Sequence, residues 1–128
     1  MAVTRSARRL RSLLLLGPAN DVDEIQRELG SEAFELLVAL TITAAVRTLK
    51  ASPIEAVVVS PEAPNAWIDE LLAAIDSIRP GIPVLVVRQR NADEQPGWRA
   101  RGVGVLRRPL LPEALARSIS AVLALRKS

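Results

Sequence analysis

The sequence predicts one α/β domain built on a parallel sheet of five strands, with helices on both faces. Five short apolar runs alternate along the chain with segments whose apolar residues recur at helical spacing, the pattern of consecutive βα units. The runs at residues 56–59 and 82–87 are almost continuously apolar, which is typical of parallel strands buried on both faces. The 128 residues are enough for one such core.

Each predicted strand is an apolar run bounded by turn-forming residues. Gly17-Pro18 closes the first run, and Pro80-Gly81 precedes the fourth. Right-handed crossovers between consecutive strands then place helices on both sides of the sheet. The five predicted strands cover residues 13–16, 34–40, 55–60, 82–87 and 103–106.

Capping and stop signals bound the first two predicted helices. Asp21 begins the first helix, Glu24 completes a capping box three residues later, and Gly30 ends the helix. Thr41 caps the second helix. Pro53 stops it, because the residue before a proline avoids the helical conformation.

The two later helices are predicted by apolar periodicity, and the segment between the fourth and fifth strands is different. The third helix opens at Pro64 or Asn65, and the last helix covers residues 111–126. Residues 91–102 are polar and contain Pro96-Gly97, so only a short or distorted helix is expected there.

The composition excludes several classes of chemistry. The chain has no histidine, the commonest general base and zinc ligand, and no cysteine for disulfides or thiolates. Ser-His triads and the usual zinc sites are therefore excluded. We expect a cytoplasmic protein, because no apolar run approaches membrane-spanning length and four leucines at residues 13–16 are too few for a signal peptide.

The net charge of +3 conceals two regions of opposite sign. Residues 12–83 carry four bases and eleven acids, whereas residues 84–128 carry nine bases and three acids. We expect these regions to form different faces of the domain. Residues 1–11 hold four arginines and no acid, and we expect a basic arm without fixed structure there, followed by a single domain over residues 12–128.

Local features after the third and fifth strands carry a family resemblance. Pro64 stands four residues beyond the strand end at Ser60, and Arg108-Pro109 follows the fifth strand. Over roughly residues 12–126 the chain resembles the receiver domains of response regulators, the flavodoxin-like modules of bacterial two-component signalling. The resemblance implies the strand order 2-1-3-4-5 and a cis peptide bond before Pro109.

In this family a carboxylate accepts a phosphoryl group, and an acid pair helps to hold a divalent metal. The resemblance places Ser60 at the phosphoacceptor position and Leu16-Gly17 at the acid pair, or Gly17-Pro18 if the alignment shifts by one residue. None of these side chains offers Mg²⁺ a carboxylate oxygen. We therefore expect a degenerate pseudo-receiver, with no enzyme activity, no bound metal and no cofactor.

The switch positions of the family differ here as well. The resemblance places Arg88 at the hydroxyl switch, Val105 at the aromatic switch and Arg108 at the lysine position, where the positive charge is kept. Arg88 and Arg108 either meet and bind an anion, or they pair internally with Glu62 or remain exposed. Ser60 is either a nucleophile or a small polar residue that ends a strand. The second interpretation is favoured, because no base or metal is present to activate the hydroxyl.

A block of arginines after the fourth strand predicts a surface for protein contacts. Its members are Arg88, Arg90, Arg99, Arg101, Arg107, Arg108 and Arg117. The domains that this chain resembles use the face of the fourth helix, fifth strand and fifth helix for dimers or effectors, so we expect a protein partner or a second copy there. The expected contact residues are Trp98, Arg99, Arg101, Arg107 and Arg108. An equally supported interpretation is a solvated charged face with a half-buried Trp98. The alternative is weak binding of nucleic acid or an anionic ligand by the same arginines. No membrane contact is expected.

Overall fold

The computed structural model describes residues 11–29, 34–93, 95–110 and 113–127. The strands in these ranges are β1 Arg11–Leu16, β2 Phe34–Ala39, β3 Ala56–Val59, β4 Val84–Arg88 and β5 Gly104–Arg107. The α-helices are α1 Ala19–Leu29, α2 Ile42–Ala51, α3 Asn65–Ile78 and α4 Ala114–Lys127. A 3₁₀ turn covers Arg99–Arg101.

All five strands are parallel, and their order across the sheet is β2-β1-β3-β4-β5, which confirms the predicted architecture. β2 and β5 are the two edges. β1 is longer than predicted, because Arg11 belongs to the strand and not to the basic arm. Arg11 lies opposite Phe34 and forms an ion pair with Glu55 at 3.4 Å. The rest of the predicted arm, residues 1–10, lies outside the described residues.

Alternate residues of the central strands build two cores, one on each face of the sheet. On one face Leu14 and Val57 pack with α2 and α3. On the other face Leu13 and Val58 pack with α1 and α4. Strands β3 and β4 are buried along their whole length, as the apolar runs predicted, because helices cover both of their faces. No helix of the described ranges is long and apolar enough to cross a membrane.

The ends of α2 and α3 match the sequence prediction. The hydroxyl of Thr41 accepts a hydrogen bond from the backbone N–H of Ala44 at 3.1 Å, so Thr41 caps α2. The helix ends at Ser52, which is extended because a proline follows it. Pro64 is the N-cap of α3.

The predicted start of α1 is wrong by two residues. The helix begins at Ala19, and the carbonyl of Pro18 accepts hydrogen bonds from the N–H groups of Asp21 and Val22. Asp21 does not cap the helix, because its carboxylate accepts a hydrogen bond from the N–H of Glu62 in the loop after β3, at 2.9 Å. The predicted stop signal, Gly30, and the predicted first residue of the last helix, Leu111, lie outside the described residues.

The crossover from β4 to β5 has no α-helix in its described part, as the polar segment predicted. The three-residue 3₁₀ turn follows Trp98, whose indole enters the core beside α3 and is only 2% exposed. The indole covers part of the sheet that a helix covers in the other crossovers. After β5 the peptide bond between Arg108 and Pro109 is cis, as the resemblance implied.

Candidate functional site at the carboxyl edge of the sheet

The first residues after β1 and β3 lie in direct contact. The hydrogen bonding between the strands continues for one residue past the ends of β1 and β3. The N–H of Ser60 donates to the carbonyl of Leu16 at 2.9 Å, and the N–H of Gly17 donates to the carbonyl of Ala39 at 3.1 Å. A Cβ built on Gly17 would lie 1.9 Å from Ser60 Oγ and 2.6 Å from Ser60 Cβ. The Ser60 side chain therefore occupies the space that any side chain at residue 17 would need.

This contact removes Ser60 from solvent. Ser60 is 0% exposed, and its hydroxyl has no hydrogen-bond partner among the described residues. A buried hydroxyl without a neighbouring base has no means of activation. These observations favour the interpretation of Ser60 as a small polar residue that ends a strand.

Acidic side chains near this edge have other partners. Asp21 is buried and holds the loop after β3 through the N–H of Glu62. The carboxylate of Glu62 in turn accepts a hydrogen bond from the side-chain amide of Gln89 at 3.4 Å. Within the described residues, no group of three or more Asp, Glu, His or Cys side chains is arranged to hold a metal ion.

Arg88, at the end of β4, is directed into the core on the α3 face. It is 8% exposed, and its guanidinium carbon lies 5.7 Å from the centre of the Trp98 ring, within the range of a cation–π contact. Its Nη2 donates to the carbonyl of Asp93 at 3.3 Å, while Nε has no partner among the described residues. Arg88 thus packs against the crossover that follows its own strand.

Arg108 is directed toward the opposite face of the sheet. Its guanidinium group pairs with Glu24 through Nη1, and Nη2 lies 3.6 Å from the carboxylate of Glu28, one turn further along α1. Arg88 and Arg108 share only a backbone hydrogen bond, from the N–H of Arg108 to the carbonyl of Arg88. The two guanidinium groups therefore do not form a common anion site, and the predicted pairing with Glu62 is replaced by pairing with α1. Glu24 is correspondingly a partner of Arg108 and not part of a capping box.

The predicted contact residues of the crossover divide into two groups. Trp98 was predicted to contact a partner, but its burial in the core removes it from the surface. Arg99, Arg101 and Arg107 are exposed. Arg101 forms an ion pair with Asp76 of α3 at 3.1 Å. Apolar side chains fill the core more favourably than they cover a surface, so an isolated Trp in a polar segment could have signalled this packing.

Arg107 holds the crossover through main-chain contacts that the sequence did not reveal. Its Nη1 donates to the carbonyl of Ala92 at 2.6 Å and to that of Gln89 at 3.3 Å. In a helical crossover, such carbonyls would accept hydrogen bonds from main-chain N–H groups of the same helix. Here the side chain of Arg107 supplies the donor. Val105, two residues earlier in β5, is half-buried opposite Val86 and packs against the α3-side core.

Comparison with solved structures identifies the fold. No protein-family model matches the sequence, and no curated protein matches it. A response regulator receiver protein from Sinorhizobium medicae superposes with a TM-score of 0.72 at 19% identity, over 92% of this chain and 98% of that chain. A CheY-like response regulator receiver domain protein from Methanospirillum hungatei gives 0.76 at 17% identity, over 93% and 98%. The signal receiver domain of a Vibrio parahaemolyticus protein gives 0.77 at 15% identity, over 93% and 94%. The chain therefore has the flavodoxin-like receiver fold.

Proposed function

We propose that this chain is a receiver-like signalling module that acts by binding proteins and does not depend on phosphorylation. The observation that carries the proposal is the contact between Gly17 and Ser60, which buries the hydroxyl at the position that the family resemblance assigns to the phosphoacceptor. Such a module is not an enzyme. Its output comes from which partner it binds and not from a covalent change at Ser60.

Physical requirements of phosphoryl transfer support this proposal. The nucleophile must reach the phosphorus in line with the leaving group, and a divalent cation must offset the charge on the phosphoryl oxygens. Ser60 has no exposed surface, so a phosphodonor has no path to its oxygen. Gly17 supplies no ligand, and the carboxylate of Asp21 is engaged with the N–H of Glu62.

The charge of the β4–β5 crossover favours an acidic protein as the partner. We define the arginine surface as the exposed residues Arg90, Arg99, Arg101 and Arg107. Residues 84–128, which contain this surface, carry nine bases and three acids, so the region is positively charged. An acidic surface would be attracted by this charge, and the attraction would raise the association rate.

Incubation with Mg²⁺ and a small acyl phosphate tests independence from phosphorylation. The full chain should show no covalent phosphoryl adduct by intact-mass measurement, while a receiver domain that retains its aspartate is phosphorylated in a parallel reaction. An adduct on this chain would overturn the proposal. Location of that adduct by peptide mapping would show whether Ser60 is the acceptor.

Binding of nucleic acid or an anionic ligand is the alternative function. The pairing of Arg108 with Glu24 weakens its support, because this arginine already has an acidic partner. Nucleic-acid binding would weaken steeply as salt rises, with a slope that reports the number of phosphates contacted. A titration of labelled single- and double-stranded DNA at two salt concentrations should show no binding in the micromolar range.

A further inference from the structure

The edge strand β2 exposes apolar side chains beside an unpaired main chain. β2 pairs only with β1, so the N–H and C=O groups of its outer edge have no neighbouring strand in the described part of the fold. Val38 is 41% exposed and Leu40 is 46% exposed, and these are the exposed large apolar side chains of the described residues. Leu36, on the same side of the strand as Val38, is half-buried.

This edge lacks the features that usually prevent edge-to-edge pairing. Residues 34–40 contain no proline, lysine or arginine, and their single charged side chain is Glu35. The opposite edge is different, because β5 has only four residues and ends in Arg107, whose side chain covers carbonyls of the crossover. Short edges and positive charges discourage pairing with another chain. Among the residues that the structure describes, β2 is therefore the edge that remains open to another strand.

We propose that two copies of this chain pair antiparallel along β2 and form one continuous ten-stranded sheet. This inference rests on the proposed function, a module that binds proteins, and it assigns a second copy of the chain as one of the partners. The twofold axis lies at Leu37. This register pairs residues 35–39 of the two strands and places Leu36 opposite Val38 of the second copy, twice. Glu35 then lies opposite Ala39, so no charge faces a like charge.

Charge explains why the second copy binds at β2 and not at the arginine surface. A twofold contact places the same patch on both sides of the interface. At the arginine surface such a contact would bring like charges together, which opposes association. At β2 the side chains that face each other around the axis, Leu36, Leu37 and Val38, are aliphatic, and main-chain hydrogen bonds add to the apolar burial. The two surfaces therefore serve different partners, and one domain can bind both.

The oligomeric state of the full chain tests this pairing. Sedimentation velocity across a concentration series should show a monomer–dimer equilibrium. Val38→Lys should raise the dissociation constant of the dimer roughly ten-fold or more, because the substitution places a charge at each half of a symmetric apolar contact. Thr43→Lys is the matched control. Thr43 is exposed on α2, so this substitution introduces the same charge five residues from Val38 and outside the proposed contact. A monomer at every concentration, or a dimer that responds equally to both variants, would overturn the proposal.

Cross-linking tests the antiparallel register, and the absence of native cysteine makes it unambiguous. An equal mixture of Leu36→Cys and Val38→Cys chains should form a disulfide-linked dimer several-fold more efficiently than either variant alone, because residues 36 and 38 face each other across the axis. Ser77→Cys, at an exposed position near the end of α3, measures random collision. Equal yields from all samples would contradict the register. None of these results depends on phosphorylation, so this inference and the proposed function fail separately.

Discussion

Gly17 and Ser60 are sterically coupled across the ends of β1 and β3. The space beside Gly17 Cα is filled by the oxygen and Cβ of Ser60, at 1.9 Å and 2.6 Å from where a Cβ on residue 17 would lie. The φ of Gly17 is not in the left-handed region, so glycine is needed there for space and not for backbone conformation. The chain cannot place a carboxylate at residue 17 while residue 60 keeps its present position and side chain.

The coupling predicts a specific pattern of rescue. Gly17→Ala should lower the free energy of unfolding by about 1–3 kcal/mol through overpacking. Adding Ser60→Ala should not restore stability, because the Cβ of residue 60 remains too close. Adding Ser60→Gly should restore most of it, since the nearest remaining atom is the Cα of residue 60 at 3.7 Å. Urea denaturation of the single and double variants measures the coupling energy. Additive effects in both double variants would contradict the coupling.

Trp98 is predicted to stabilise the core and not a complex. Trp98→Ala should lower the free energy of unfolding by about 3–5 kcal/mol, the usual cost of truncating a buried aromatic side chain. In a Trp67→Phe background Trp98 is the only tryptophan, and its fluorescence should be blue-shifted and resistant to acrylamide. A red-shifted, readily quenched emission would show that Trp98 is at the surface, as a contact with a partner would require.

Arg108 is predicted to tie the end of β5 to α1. Arg108→Met should lower the free energy of unfolding by about 1–2 kcal/mol, because it leaves Glu24 and Glu28 without their cation in a partly buried setting. The exposed Arg90 offers a control, and Arg90→Met should change stability by less than about 0.5 kcal/mol. Equal effects of the two substitutions in thermal or urea denaturation would mean that the pairing contributes nothing.

The pairing of Arg108 with α1 predicts that the carboxyl edge of the sheet does not bind phosphate. Arg88 and Arg108 are directed to opposite faces of the sheet, so millimolar phosphate should leave the melting temperature of the domain unchanged at constant ionic strength. Chloride at matched ionic strength is the control for screening. A phosphate-specific rise in melting temperature that disappears in Arg108→Ala would restore the anion-site hypothesis.

Arg107 is predicted to order the crossover locally. Arg107→Met removes the donor to the carbonyls of Gln89 and Ala92, so amide hydrogen exchange should accelerate for Ala92, whose N–H donates to the carbonyl of Gln89. The ion pair of Arg101 with Asp76 is exposed, so Arg101→Met should leave exchange at Ala92 nearly unchanged. Identical exchange in both variants would argue against the role of Arg107.

Local sequence patterns were sufficient for most of the fold. Continuous apolar runs predicted β3 and β4, the Thr41 cap and Ser52 stop predicted the ends of α2, and the polar segment with Pro96-Gly97 predicted a crossover without a regular helix. The start of α1 was predicted less well. Asp21 has the chemistry of a cap, yet its carboxylate is used by the N–H of Glu62, forty-one residues away. A local rule cannot anticipate that competing partner.

The sequence by itself determined the parallel α/β architecture and the absence of carboxylates at Leu16, Gly17 and Ser60, because strand burial and residue chemistry are local properties. Only the tertiary structure decided the partner of each side chain. The pairing of Arg108 with Glu24 joins residues 84 apart in the chain, and the burial of Trp98 depends on the surface that α3 and the sheet leave uncovered. Such contacts follow from the packing of distant elements, which charge and periodicity along the chain do not specify.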